Sequence, residues 1–225
     1  MPGGLSSTCP GAQVNHTSKR RLLVGSIGVW SAIVVLGVLS VADRDSRPGA
    51  TGSAPRAWPA HSTLVRSRER SNVLLFAHPH CPCTRASLRE LEQVVSRAGE
   101  RASVQVVLCV PDGAPLDFAR TDLWQLAEAI PGVHVSAHAA SDEARRFEVR
   151  TSGEVLAFDA DGQLRFQGGI TGSRGHEGDN AGRDALIAAL QEPRGELRTS
   201  PVFGCSLFDD AAPERAPAAE SNASP

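Results

Sequence analysis

The 225 residues carry 23 basic and 25 acidic side chains, 41% hydrophobic residues, 21 glycines and 15 prolines. That Gly and Pro content lies below the roughly 25–30% of low-complexity chains, so a wholly disordered or collagen-like protein is excluded and one domain, or two small ones, can be built. Balanced charge, no Tyr, three Trp and seven Phe leave neither the basic footprint nor the stacking surface of a nucleic-acid binder.

In chain order, Leu22 to Ala42 is a run of 21 residues without a charged side chain, long enough as a helix to cross a hydrocarbon core of about 30 Å. Lys19, Arg20 and Arg21 abut its start, whereas Asp43, Arg44, Asp45 and Arg47 follow it. The adjacent cations place residues 1–21 in the cytoplasm and the remainder outside the inner membrane, in the periplasm or its equivalent. Ser40-Val41-Ala42 is a small-x-small site that a signal peptidase could cut, but the run exceeds a usual signal core of about 7–15 residues, which favours an uncleaved anchor. Either way the rest is exported to a compartment where cysteines can be oxidised. Residues 43–71 lack hydrophobic periodicity and read as a flexible linker; residues 209–225, of the same character, read as a disordered tail. One domain is expected over 72–208.

Within that domain Asn72 to Ala77 reads as a buried strand, and Thr84 to Arg97 as a helix with Leu88, Leu91, Val94 and Val95 on one face, capped near Thr84 and ended by Gly99. Val104 to Val110 reads as a strand covered on both faces. Thr121 to Ile130, capped by Thr121, is a second helix, followed by a short strand at 133–136 and a short helix at 141–149. Glu154 to Asp159 and Leu164 to Gly168 form a hairpin around Asp161-Gly162, and Arg183 to Gln191 is the last helix. This order describes an α/β domain, a mixed sheet with helices on both faces.

The informative stretch is Phe76 to Thr84, FAHPHCPCT, where a buried strand ends and Cys81 and Cys83 stand directly before a helix. Unpaired N–H groups at a helix start favour a thiolate, and Arg85 or a protonated His80 would lower its pKa further. His78 and His80 can tune the thiolate, bind metal, or serve structure alone. The competing reading of the cysteines is an inert or permanently bonded pair. Cys109, inside an apolar strand, reads as a core residue, and Cys9 lies in the N-terminal tail. His134 and His138 read as loop or surface residues. The stretch 168–180 is rich in Gly and polar side chains, so Arg174, His176, Glu177 and Asp179 either line the cysteine site or form a solvated loop.

From Phe76 to Cys81 the spacing resembles the thioredoxin-like superfamily, in particular its membrane-tethered extracytoplasmic thiol-disulfide proteins, with Cys81 matching the nucleophilic cysteine. Phe147 to Gly153, the strand after it and Asp159-Ala160-Asp161-Gly162 resemble the family's later segment. The resemblance spans about residues 72 to 192 and is also close to a bacterial group labelled RedB. It implies a thioredoxin-like domain behind one transmembrane helix, a redox-active disulfide with no further cofactor, and a protein thiol or disulfide as partner. Three departures stand out. Thr84 occupies the place of the family's resolving cysteine, so Cys83 or Cys205 must substitute. A Cys81–Cys83 bond would close a small, easily reduced ring, whereas Cys205 follows Gly204, which could bring its backbone close to the site. Gly153 stands where the family has its groove-shaping cis-proline. Three readings follow: a thiol-disulfide oxidoreductase using Cys81, Cys83 and Cys205; a Cu(I)-binding protein or metallochaperone using Cys81, Cys83 and one of His78, His80 and His176, thiolates suiting a soft ion; and a non-catalytic envelope scaffold.

Overall fold

A computed structural model describes residues 16–140 and 142–208. Cys9, Ser141 and the tail expected at 209–225 lie outside the described residues. The described residues form two compact units, divided after Arg44. The first is built on helix α1 (His16–Ser46), in which Leu23–Ser46 includes an 18-residue stretch of mean hydropathy 2.2 and is long and apolar enough to cross a membrane.

In the second unit the elements are β1 (Ser71–Ala77), α2 (Thr84–Ala98), β2 (Ala102–Val110), α3 (Asp122–Glu128), β3 (Val133–Ala139), α4 (Glu143–Arg146), β4 (Glu154–Phe158), β5 (Leu164–Gly169), α5 (Ala181–Gln191) and β6 (Arg198–Thr199). They form one six-stranded mixed sheet of order β3-β2-β1-β4-β5-β6. The strands β1, β2 and β3 are parallel, β4 is antiparallel to both β1 and β5, and β6 runs parallel to β5. The elements expected from the sequence are present; the two-residue β6 and the single 3-10 turns at Gly99–Arg101 and Leu116–Ala119 were not anticipated. Such short pieces leave no periodicity to read.

Alternation along the central strands divides the core. Val73, Leu75, Val104, Val106, Leu108, Val155 and Ala157 face α2, α3 and α5, where Leu88, Leu91, Leu123, Ala127 and Leu186 meet them. Leu74, Phe76, Val107, Leu156 and Phe158 face the opposite side. Among the described residues the helical cover on this side is the single turn α4.

Further cover comes from residues 49–67, inside the stretch expected to be a flexible linker. Leu64 and Ala54 are buried, and Trp58 stands edge-on to Phe147 and Phe158 with ring centroids 5.2 and 5.3 Å apart. Backbone bonds fix the path, with Trp58 N–H donating to Gly162 O at 2.8 Å and Leu164 N–H to Arg56 O at 2.8 Å. The buried Glu143 carboxylate accepts from Ser62 Oγ at 2.8 Å and Thr63 N at 3.0 Å. Residues 49–67 are therefore part of the domain. An extended segment that lies on a sheet face needs only scattered apolar anchors, so it shows neither helical nor strand periodicity. Edge-to-face aromatic pairs add about 0.5–1.5 kcal/mol each beyond the area they bury, which makes Trp58 a strong anchor.

Candidate functional site

The site lies at the C-terminal end of β1, where three segments converge. The first is the β1–α2 connection. Cys81 N–H donates to His78 O at 3.1 Å and Thr84 N–H to Cys81 O at 3.1 Å, a pair of tight turns that folds Cys81 under the start of α2. Cys83 is the residue before the helix and already has helical backbone angles, with no side-chain cap. Thr84 does not cap α2 as expected; its buried hydroxyl lies 3.0 Å from Ser152 Oγ. Thr121 likewise does not cap α3, its hydroxyl donating to Pro79 O at 3.1 Å.

The second segment is the turn into β4. Gly153 sits at φ +91°, a conformation that suits glycine, and its N–H donates to Phe76 O at 2.8 Å. A Cβ there would lie 2.9 Å from Ser87 Oγ. The preceding Ser152 accepts from His78 N–H at 2.9 Å and hydrogen-bonds the Cys81 sulfur. A hydroxyl has one proton. If Ser152 gives it to Cys81, Thr84 is the donor to Ser152, and a chain Thr84 to Ser152 to Cys81 results.

The third segment, residues 201–208, comes from beyond β6 and lies across the turn as a strap. Ser152 N–H donates to Cys205 O at 2.8 Å, Leu207 N–H to Arg150 O at 2.9 Å, and Thr151 and Ser206 form a β-bridge. Gly204 makes the close approach possible, since a Cβ on it would stand 1.8 Å from Ser152 O. The strap sets Cys205 Sγ 3.0 Å from Cys81 Sγ, across 124 residues of sequence.

These contacts separate the thiols electrostatically. Burial alone pushes the Cys81 thiol up, but hydrogen bonds from the Cys205 side chain and backbone, the Ser152 hydroxyl and the Cys83 backbone outweigh it, and Cys81 is held below the ordinary thiol value. Burial and the neighbouring Cys81 raise Cys83, against the guanidinium of Arg174. Cys205 is pushed up to about 12 by burial and by Cys81, again opposed by Arg174. Cys81 is thus the first thiolate of the cluster, yet it is only 1% exposed, beneath the strap. A cavity of about 240 Å³ opens between His78 and Ser206, lined also by Asp112, Arg145 and Phe208. A larger one, of about 860 Å³, lies at the other end of β1, around Ser71 and Arg97.

The remaining candidates separate from the thiols. Arg85, expected to lower the thiol pKa, is paired with Asp122 on the exposed surface. The cation that reaches the thiols is Arg174, which hydrogen-bonds Cys83 and the carbonyl of Gly204. Nothing in the sequence distinguished Arg174 from its loop neighbours. His80 is exposed and packs on Phe118 with centroids 4.4 Å apart, and His78 accepts the His80 N–H at its Nδ1, 3.1 Å away. His176 folds against its own loop, near Gly172 and Gly178, and Asp179 pairs with Arg183. Among the described residues no group of three or more His, Cys, Asp or Glu side chains is arranged to hold a metal ion. Cys109 is 1% exposed within β2, and burial pushes its thiol up to about 12. Ser152 was missed, although it precedes the Gly153 already singled out.

No family model matches the sequence, and comparison with curated proteins returns no match. Among solved structures, an uncharacterized conserved protein from Geobacillus kaustophilus superposes with a TM-score of 0.53 at 17% identity, over 74% of this chain and 94% of that one. The hypothetical protein SMc02350 from Sinorhizobium meliloti 1021 gives 0.53 at 14% identity, over 72% and 96%. The exposed lipoprotein thioredoxin Etrx1 from Streptococcus pneumoniae strain TIGR4 gives 0.42 at 20% identity, over 56% and 86%. At these identities the likeness to the first two speaks to the fold alone.

Proposed function

We propose that the protein is a membrane-tethered thiol-disulfide oxidoreductase acting outside the cytoplasmic membrane, with Cys81 as attacking thiolate and Cys205 as resolving thiol. The observation that carries this reading is the 3.0 Å approach of the two sulfurs, with Cys81 the more acidic of the pair. In the first step the Cys81 thiolate attacks a substrate disulfide; a Cys81–substrate bond forms and one substrate thiolate leaves. Cys205, losing its proton to solvent, then attacks the Cys81 sulfur, the Cys81–substrate bond breaks and the second substrate thiolate departs. The substrate disulfide gains two electrons and Cys81–Cys205 becomes the disulfide. The reverse sequence oxidises a dithiol. The helix α1 supports the tether, and a protein thiol or disulfide is the partner.

Exchange with a disulfide substrate tests the assignment. Cys81→Ser is expected to abolish exchange, and Cys205→Ser to accumulate a mixed disulfide on Cys81. Full exchange in Cys81→Ser sinks the reading. Thiolate-held Cu(I) is the second reading, supported by the 3.0 Å approach of Cys81 and Cys205, two soft donors. Of the histidines considered for it, His80 packs on Phe118 and His176 lies against its own loop.

A further inference from the structure

The loop between β5 and α5 is unusually well anchored for a Gly-rich connection. Asn180 caps α5, accepting the Arg183 N–H at 2.8 Å, and its amide donates to Gly178 O at 2.9 Å. The buried Glu90 of α2 accepts from Gly178 N at 2.7 Å and from Arg183 at 2.8 Å. This ion pair, with side chains 6% and 4% exposed, fastens the far end of the loop to the helix that follows Cys83. From the anchored loop Arg174 extends to the Cys205 strap, donating to Gly204 O, and to the Cys83 thiol. A planar guanidinium can hold both acceptors at once, which an ammonium on a flexible stem does less well.

Resting on the oxidoreductase reading above, we propose that Arg174 governs the resolving half of the exchange: it docks the strap that carries Cys205 over Cys81 and supplies the positive charge beside Cys83 and Cys205. The resolving thiol is the one that most needs such help. Burial and the neighbouring sulfur both oppose its ionisation, and Arg174 is the cation that opposes them. The chemistry of the step is unchanged: the Cys205 proton goes to solvent, the Cys81–Cys205 bond forms and the substrate thiolate leaves. Arg174 acts on position and charge only.

The test uses the reduced full-length chain in detergent micelles, with dithiobis(nitrobenzoate) as the disulfide. Release of the coloured thiolate is followed in time, and acid-quenched samples are assigned by peptide mass spectrometry to the Cys81 mixed disulfide or to Cys81–Cys205. Arg174→Met is expected to slow resolution relative to attack by about tenfold or more, and to move the pH midpoint of the resolving phase upward. Arg174→Lys is expected to keep that midpoint near the parental value while resolving more slowly, because it retains the charge and loses the fork. Parental resolution with an unshifted midpoint in Arg174→Met overturns the proposal and leaves the oxidoreductase reading standing. A parental chain that never forms the Cys81 mixed disulfide overturns both.

Discussion

Replacing Gly204 with alanine tests the strap directly. The added Cβ would stand 1.8 Å from the Ser152 carbonyl oxygen, whereas real Cβ atoms essentially never approach within 3.0 Å. The obstacle is backbone, held by the Ser152 N–H bond to Cys205 O on one side and the Gly153 N–H bond to Phe76 O on the other. It cannot swing aside as a side-chain tip would, so the strap must retreat by about 1.2 Å or more, at a cost of about 1–3 kcal/mol typical of overpacking. Cys205 is the next residue and moves with the strap, away from its 3.0 Å contact with Cys81. A misplacement of about 1 Å can slow an aligned reaction by about 100-fold, so resolution is expected to slow by about 10- to 100-fold. Cys81, now less covered, should become more accessible to alkylation. The measurement is the lifetime of the Cys81 mixed disulfide in Gly204→Ala against the parent, with a urea melt of each. Parental resolution and parental shielding of Cys81 in a folded Gly204→Ala protein would refute the reasoning.

Further expectations follow from the same contacts. Alkylation of Cys81 in unfolding-free conditions should have a pH midpoint below the ordinary 9.0, and Ser152→Ala or Cys205→Ala should raise it by removing a hydrogen bond to the thiolate; an unmoved midpoint in both counts against the thiolate assignment. Cys109 loses its proton near pH 9.0 when unfolded but only near 12 when folded, so its contribution to stability is complete below pH 9 and is lost as pH rises from 9 toward 12. Chemical denaturation should therefore show a steeper alkaline loss in the parent than in Cys109→Val. Trp58→Ala should cost about 2–4 kcal/mol, somewhat below a fully buried Trp because Trp58 is half-buried, and a chain beginning at residue 72 should expose the Phe147 and Phe158 face and aggregate. Parental solubility and melting of that truncated chain would contradict the packing of residues 49–67. Copper added to the reduced chain and followed through desalting checks the thiolate-copper reading: retention lost in Cys83→Ser supports it, and no retention removes it.

Much of the domain was legible because its signals are local. The apolar run at 73–77 reads as a buried strand, and the spacing of Leu88, Leu91 and Val94 as one side of a helix. Asp161-Gly162 turned the hairpin as such a pair should, with Gly162 at φ +85°. The position of Cys81 and Cys83, between a buried strand and a helix start, was readable in the same way. What was misread depends on distant partners. Thr84 and Thr121 look like caps from their place before a helix, yet each hydroxyl is engaged across the site, by Ser152 and by Pro79 O. Arg85 is nearer to the thiols in sequence than Arg174, but its position on the first turn of α2 turns it to Asp122 at the surface.

The amino-acid sequence by itself determined the apolar N-terminal helix, the alternation of strands and helices and the place of Cys81 at a strand-to-helix junction, because each follows from hydrophobic spacing or from the backbone groups next in the chain. Only the tertiary structure decided that residues 49–67 complete the core, that Arg174 and Ser152 belong to the thiol cluster, and that Cys205 reaches Cys81. Those choices are made where segments meet, 124 residues apart for the two sulfurs. A strap that owes its position to one missing Cβ and a few backbone hydrogen bonds leaves no periodic trace in the sequence.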